Sequence, residues 1–533
     1  MPQSAMAQPT PHTPMQVWDV RDYGALGDGK TMNTVALQAA IDACSQGGGG
    51  SVFFPKGSFL SGTIVLKDNV TLYFAPEATL LGSPNAVDYP AYSYPARNRD
   101  TGGFEVEALI YADGAKNIGI AGPGTLEGNG KTFPKRPVPN PDVSTGMRPR
   151  LVYLKNCLYV RLRDITLRNS SGWTLHLVMC DKVFVQGVSV YSDLFINQDG
   201  IDIDSCQDCF ISDCFVSTVD DAIVIKATFP RACKNLAISN CALTTRCTAI
   251  KFGSQSVGGF QNISISNCAL YECDLGGLKF EAVDGGDLED VTVSNITMHN
   301  VSAPITFLLG NRAESAGLNL PLPRPIARLR NVVISGIRAT VANEAERWHR
   351  GNTCLIAGIP GHPIEGLTID NVTMTYPGGG TREEASRVDL PEHENMYPDN
   401  TMFGVLPAYG FYLRHVKGIS LTNVRLELAA PELRPALISE DVEGLDLTGF
   451  KAASCSEGPV LRLRNTRDVL IQNSRPLNPV ATYLLVEGTG CSNIAMLGND
   501  LRQAHTAVVK ADGFLEDIQE AGNLPSTSRH DAS

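Results

Sequence analysis

NCLYVRLRDITLRN (156–169), MCDKVFVQGVSVYS (179–192), SCQDCFISDCFVST (205–218), ACKNLAISNCALTT (232–245), GFQNISISNCALYE (259–272) and DLEDVTVSNITMHN (287–300) are six versions of one unit. Each is a short alternating run, then Asn, Asp or Gly, then a second short run. The central position recurs at Ile165, Val188, Cys214, Cys241, Cys268 and Ile296, in steps of 23, 26, 27, 27 and 28 residues. Alternation with period two, broken by turn residues, predicts short strands rather than helices. A repeat of this length with several strands per unit is a solenoid signature. The expected fold is all-β, a single parallel β-helix whose coils stack about 4.8 Å apart with inward residues in ladders.

Working outward, the pattern continues at NVTLYF, NIGIAG, LRNVVISGIRAT, IEGLTIDNVTMT, VKGISLTNVRLE, VEGLDLTGFKA, TRDVLIQNS and CSNIAMLGN. Long loops interrupt it near 85–105, 130–148, 307–327, 340–362 and 376–405, and loops on a regular scaffold often carry function. NTVALQAAIDAC (33–44) is the one clear helical pattern, with Asn33 or Thr34 as N-cap. A short helix there would cover the open end of the core. Gly47–Gly50 follow a helix and precede a strand, the reverse of a phosphate loop, and read as a turn. The chain divides into a tail or leader remnant (1–16), one β-helix domain (17–525) and a second tail (526–533).

Composition agrees. Among 533 residues, Gly is abundant at 50 and charged residues make up 19%, which excludes a coiled coil, a collagen and a disordered chain. With 44 basic against 56 acidic side chains the net charge is −12, unfavourable for non-specific binding to nucleic acid or an anionic membrane. No stretch approaches the roughly 18 apolar residues of a membrane span. Ala5-Met6-Ala7 has the small-residue look of a leader cleavage site, and a plain disordered tail is the equal alternative. Cys157, Cys180, Cys206 and Cys233 are 23, 26 and 27 residues apart, and Cys214, Cys241 and Cys268 are 27 apart. Spacing matched to the coil favours stacked buried thiols over disulfides or a metal site. N-x-S/T triplets such as Asn69-Val70-Thr71 and Asn295-Ile296-Thr297 fall at repeat turns and read as repeat chemistry.

Three aspartates carry the chemistry. Asp199 lies in FINQDGIDIDSC, and Asp220 and Asp221 lie in STVDDAIVIK, 21 residues later and so about one coil away. Stacked carboxylates cannot all ionise cheaply, so one retains a proton and an acid and a base share one place. Glycoside hydrolysis requires such a pair of carboxyl groups. Neighbouring strand residues point to opposite faces, so the chain must turn at Asp220-Asp221 for both to serve one groove. The competing account is a solvated acidic turn, and Asp202 and Asp204 are read in that way.

These motifs resemble the polygalacturonase family of pectin-degrading enzymes (glycoside hydrolase family 28). DYGALGDGKTMNTVALQAAIDAC, GGGSVFFPKGSFLSGTIVLKDNVTLYF, GPGTLEGNG, RPRLVYLKNC and NSSGWTLHLVMC match its opening half. Asn197-Gln198-Asp199 and Asp220-Asp221 stand where the family has Asn-x-Asp and Asp-Asp. The resemblance implies a right-handed β-helix and an inverting hydrolase needing no metal or cofactor. It implies Asp220 as general acid, Asp199 and Asp221 as the pair activating water, and Asn197 as an orienting or sugar-contacting residue. The acid and base carboxyls should then stand roughly 6.5–9.5 Å apart. Two positions depart from the family: Thr248 replaces the His of Gly-His-Gly, and Gly277-Leu278-Lys279 keeps only the Lys of Arg-Ile-Lys. Both positions help bind uronate in polygalacturonases, so decorated or rhamnogalacturonan-type galacturonides are favoured over smooth homogalacturonan. Lys251 and Lys279 are candidate uronate partners, and Lys226 reads mainly as charge balance.

ENMYPDNTMFGVLPAYGFYLRHVKG (394–418) resembles a feature of bacterial members, and Tyr409, Tyr412, Arg414 and His415 are its candidate substrate contacts. His176 and Trp173 are read as packing. The expected partner is a pectic poly- or oligosaccharide, bound by a monomer. A polymeric substrate implies a secreted or periplasmic location. Two other classes remain open: a Ca²⁺-dependent polysaccharide lyase or epimerase, and a non-catalytic carbohydrate-binding solenoid.

Overall fold

The computed structural model describes residues 16–94, 104–133, 148–312, 324–343, 351–454, 457–511, 513–514 and 516–526. Both expected tails lie almost wholly outside these residues, as do the centres of four expected loops (95–103, 134–147, 313–323 and 344–350). Forty strands join in one continuous sheet, and the pairings along it are parallel between successive coils. The fold is a right-handed parallel β-helix, described from Val17–Asp19 to Gln519–Ala521.

The repeat maps directly onto the coils. Val160, Val183, Cys209, Leu236, Ile263 and Val291 pair in register on six successive rungs. All are buried, and so are the six central positions Ile165 to Ile296. Like stacks on like because each rung presents the same inward position to its neighbour. Phe252, Phe280 and Phe307 form such a stack, with ring centroids 4.9 and 4.4 Å apart. The thirteen described cysteines are free thiols, and all but half-buried Cys247 are buried.

The coil must bend between strands, and asparagine does this repeatedly. Asn69 and Asn295, both in N-x-S/T triplets, have φ of 63° and 56°, a region Asn tolerates better than most residues. Asn117 Nδ2 donates to Asn69 Oδ1 (3.1 Å), and Asn262 Nδ2 to Asn235 Oδ1 (2.8 Å), so the corners form polar ladders.

The helix Thr34–Gln46 buries Leu37, Ala40, Ile41 and Cys44 on the first coils. Asn33 occupies its N-cap position, but the side chain does not cap. Asn33 Oδ1 instead accepts from the Leu26 N–H (2.7 Å), which ties the preceding loop to the helix start. Beyond the helix, Gly49 has φ +101°, and a Cβ there would lie 2.4 Å from that of Asn69. This turn needs glycine for close approach, not for phosphate.

The segment from 377 to 410 is a long loop holding only the short helix Arg382–Ala385 and the turn Asn400–Phe403. Leu390, Phe403 and Leu406 anchor it on Leu308, Leu355 and Tyr412 of the adjacent sheet. That anchor carries Tyr397 and Asp399 to the wall of a cleft.

Candidate active site

The cleft has a volume of about 260 Å³ and runs across the starts of successive strands in one sheet. Asp199, Asp220 and Asp221 all line it. The two coils that supply them are neighbours, since strand Ile201–Asp204 pairs with Ile223–Ala227. Asp220 and Asp221 sit in the turn between strands Phe215–Thr218 and Ile223–Ala227. That turn lets both carboxylates face the groove.

Asp220 is half-buried. One oxygen accepts the Asn197 N–H (2.9 Å) and the other the Asp221 N–H (3.0 Å), while the Thr218 hydroxyl donates to its carbonyl (2.6 Å). Asp221 is buried, accepts the Thr248 N–H (3.1 Å) and pairs with Lys251 Nζ at 3.2 Å. Burial pushes its pKa up, but Lys251 and a hydrogen bond from Cys247 outweigh that and hold it below the usual carboxylate value. Asp199 is the reverse case: burial, then the charges of Asp202 and Asp220, push its pKa well up. Its Oδ1 has no hydrogen-bond partner among the described residues. The proton affinities of Asp199 and Asp221 are thus pulled in opposite directions, as stacked carboxylates should be.

A second layer supports the first. Lys226 Nζ lies 3.9 Å from Asp199 and 3.6 Å from Asp202. Asp202 and Asp204 are not a solvated turn; both are fully buried on the strand beneath the cluster. Burial lifts Asp202 to about 7. Asp204 accepts the Thr228 N–H (2.8 Å) and faces His176 Nε2 at 3.7 Å. Glu281, 4.0 Å from Lys251, is pushed up to about 7 by burial against the pull of Lys251 and Lys279.

Of the residues expected at the site, Asp199, Asp220, Asp221, Asn197 and Lys251 line the cleft. Lys226 is there too, in its charge-balancing role. Six others, Thr248, Tyr409, Arg414, His415, Tyr412 and Lys279, are placed elsewhere. Thr248 is fully buried and contributes its backbone N–H to Asp221, not a side chain to substrate. Tyr409 lies inside the coil, its hydroxyl bonded to the Ala453 carbonyl. Arg414 is held under the 377–410 loop by the Leu390 carbonyl (2.9 Å) and Glu392. His415 bridges Asp441 (2.6 Å) and Glu392 (3.1 Å). None of these four lines the cleft. Tyr412, bonded to Glu440 (2.6 Å), is likewise covered. Lys279 has no exposed surface and pairs with Asp399 at 3.0 Å, so it sits behind the wall rather than in it. The distinctive C-terminal segment does reach the site, but through Tyr397 and Asp399.

Sequence reasoning also passed over Tyr94, Arg148 and Arg150, and assigned Trp173 to packing; all four line the cleft. The spacing contained a signal. Arg150, Trp173 and Asp199 are separated by 23 and 26 residues, the same steps that separate Cys157, Cys180 and Cys206. Each lies seven positions before a ladder cysteine, hence on one line along the solenoid.

One donor atom each from Asp220, Asp221 and Cys247 lie within 4.8 Å of one another. A cation there would have to displace Lys251 from Asp221 and use a thiol whose proton burial holds firmly. Hard oxygen-seeking ions are poorly matched to that set. The same contact is shorter than the 6.5–9.5 Å expected between acid and base, so Asp220 and Asp221 do not face each other across a sugar.

The model of glycosyl hydrolases family 28 matches residues 44–393. The chain is 31% identical over 215 residues to a probable polygalacturonase of Vitis vinifera, covering 39% of this chain and 43% of the relative. It is 30% identical over 255 residues to an exo-poly-alpha-D-galacturonosidase of Dickeya chrysanthemi, covering 40% and 42%. The match thus spans less than half the length of these relatives. The structure of a Yersinia enterocolitica family 28 exopolygalacturonase superposes with a TM-score of 0.64 at 22% identity, covering 81% of this chain and 78% of that one. With the family model matched over well more than half of its length, this chain belongs to glycosyl hydrolases family 28.

Proposed function

We propose that the protein hydrolyses glycosidic bonds in pectic galacturonides, by direct displacement with water and inversion at the anomeric carbon. The observation that carries this is the convergence of Asp199, Asp220 and Asp221 on one cleft, where burial and neighbouring carboxylates push the pKa of Asp199 up and Lys251 outweighs burial to hold that of Asp221 down.

Asp220 is the general acid: it is the most accessible of the three, and two backbone N–H groups fix its carboxylate. Asp199 is the base, with an unpartnered oxygen available to a water. Asp221, locked to Lys251, orients that water from the other side. The proton count balances within the site: Asp220 gives its proton to the leaving sugar oxygen, Asp199 takes one from the attacking water, and return of that proton to Asp220 resets the pair. The polymeric substrate supports action outside the cytoplasm, secreted or periplasmic, and nothing in the mechanism requires a second copy of the chain.

A substrate panel tests this. Homogalacturonan, rhamnogalacturonan and their oligosaccharides are incubated with the protein and with Asp220→Asn, with and without chelator. New reducing ends without an ultraviolet-absorbing product, insensitive to chelator and lost in Asp220→Asn, are expected. An absorbing product would mean elimination, and binding without cleavage would mean a recognition solenoid.

A further inference from the structure

The lysines around the acid cluster are already engaged by the protein's own carboxylates: Lys251 by Asp221 (3.2 Å), Lys226 by Asp202 (3.6 Å) and Lys279 by Asp399 (3.0 Å). None presents an open charge to an acidic sugar. Arg150 differs. It lines the same cleft with 8% of its surface exposed, and no carboxylate among the described residues pairs with it. Its side-chain hydrogen bond is between Nη1 and His176 Nδ1 (2.5 Å). His176 is neutral, because burial and then Arg150 itself push its pKa to about 3. Its hydrogen-bond partner therefore does not neutralise the guanidinium, and Asp202, which feels its charge, does not pair with it. Glu107, also on the cleft wall, accepts the Arg150 N–H through its carbonyl (2.8 Å) and has other partners.

The surroundings hold the guanidinium in place. Its carbon lies 4.5, 4.8 and 5.2 Å from the ring centroids of Trp173, Tyr94 and Tyr153. Aromatic faces stabilise a cation without neutralising it and keep bulk water away. A buried, planar guanidinium that lines the cleft without a paired carboxylate is a receptor for one, which it can grip with two parallel hydrogen bonds. Its place along the groove is defined as well. The Trp173 ring contacts both Arg150 (4.5 Å) and Lys226 (4.6 Å), and Lys226 neighbours Asp199. Strand Arg150–Lys155 pairs with Leu175–Val178, and that strand pairs with Ile201–Asp204. Arg150 is thus two rungs, roughly 10 Å, from the acid cluster.

We propose that Arg150 is the carboxylate-reading residue of this cleft, binding the carboxylate of a uronosyl unit a short oligosaccharide length away from the bond that is cut. The proposal rests on the hydrolase reading above and specifies the charged feature of its substrate.

The test uses the full chain carrying Asp220→Asn, so that ligand is not consumed. Binding of a galacturonate trisaccharide and of its methyl ester is measured by calorimetry. The acid form should bind about tenfold tighter or more, the usual scale for a hydrogen-bonded charge. Adding Arg150→Gln should abolish that preference, and adding Lys417→Met, at an exposed lysine outside the cleft, should leave it intact. Equal affinity for acid and ester overturns the proposal, and so does a preference that survives Arg150→Gln. Should Arg150→Gln fail to fold, tryptophan fluorescence decides: the acid ligand should alter emission in the parent and not in Trp173→Phe, and a change that persists in Trp173→Phe counts against it. Cleavage by the unmutated protein separates the two claims. Carboxylate-selective binding without cleavage of any pectic chain keeps Arg150 and removes the hydrolase. Cleavage indifferent to esterification keeps the hydrolase and removes Arg150.

Discussion

Asp220→Asn keeps the shape of the side chain and one of its two N–H contacts, since an amide nitrogen cannot accept the other, and it removes the proton-donating role, so kcat should fall by about 10²–10⁴-fold with KM little changed. Steady-state rates on a pectic oligosaccharide check this, and a loss confined to KM would contradict it. Lys251→Met tests the electrostatics. With Lys251 present, Asp221 is held below its ordinary pKa and stays ionised into the acid range. Removing the cation raises that pKa, so the acid limb of the kcat/KM profile should move to higher pH; an unmoved limb would detach Asp221 from the reaction. At this scale the sequence was informative where chemistry and spacing coincided. Asp199, Asp220 and Asp221 sit one coil apart with a turn at the pair, and that was readable. Arg150 was not singled out because an arginine at the first position of a strand looks like surface charge; only its alignment with Trp173 and Asp199 marks it. Tyr409, Arg414 and His415 misled because the segment holding them contains both a covering loop and the strand it covers, and residue type does not separate the two.

The element that does reach the cleft is the 377–410 loop, pinned by Lys279 and Asp399. Asp399→Asn leaves Lys279 buried without its partner and should destabilise the fold by ~3–5 kcal/mol, measured by denaturant unfolding. A loss of under half a kcal/mol, roughly a surface pair's worth, would show that the contact is not needed. Burial raises the Asp399 pKa, but Lys279 and the Thr401 hydrogen bonds outweigh that and hold it at about 2. That is below its unfolded value of about 3.9. The pair's contribution is therefore complete above about pH 4 and is lost as pH falls towards 2. The thiol ladders make a second case. Burial raises Cys44 to about 11 and Cys354 to about 12, so these two should resist a thiolate-selective reagent until the chain is unfolded, and the other ten buried thiols are shielded from it by burial. Rapid labelling of several in the native protein would contradict the stacking. These ladders were legible because a solenoid repeats its inward positions at the period of its coil, and the cysteines follow that period.

Over the whole molecule, the solenoid acts as a ruler. Each coil advances the chain by one rung, and residues that share a phase within the repeat form a line that a linear sugar polymer can follow. Arg150, Trp173, Asp199 and Asp221 lie along that line, so charge recognition and bond cleavage are separated by a fixed number of rungs. The architecture was readable from the six repeats alone. The cleft's walls were not, because long insertions build them and nothing in their composition tells which coil they fold back on. The central claim is that water displaces the leaving sugar directly, with Asp220 as acid and Asp199 as base. Proton NMR of the first product released from a pectic oligosaccharide tests it most directly. The account predicts that the new reducing end appears with the anomeric configuration opposite to that of the bond cut, before mutarotation, and that Asp220→Asn releases no such product. A first product that retains the original configuration would require a covalent intermediate, and would contradict it.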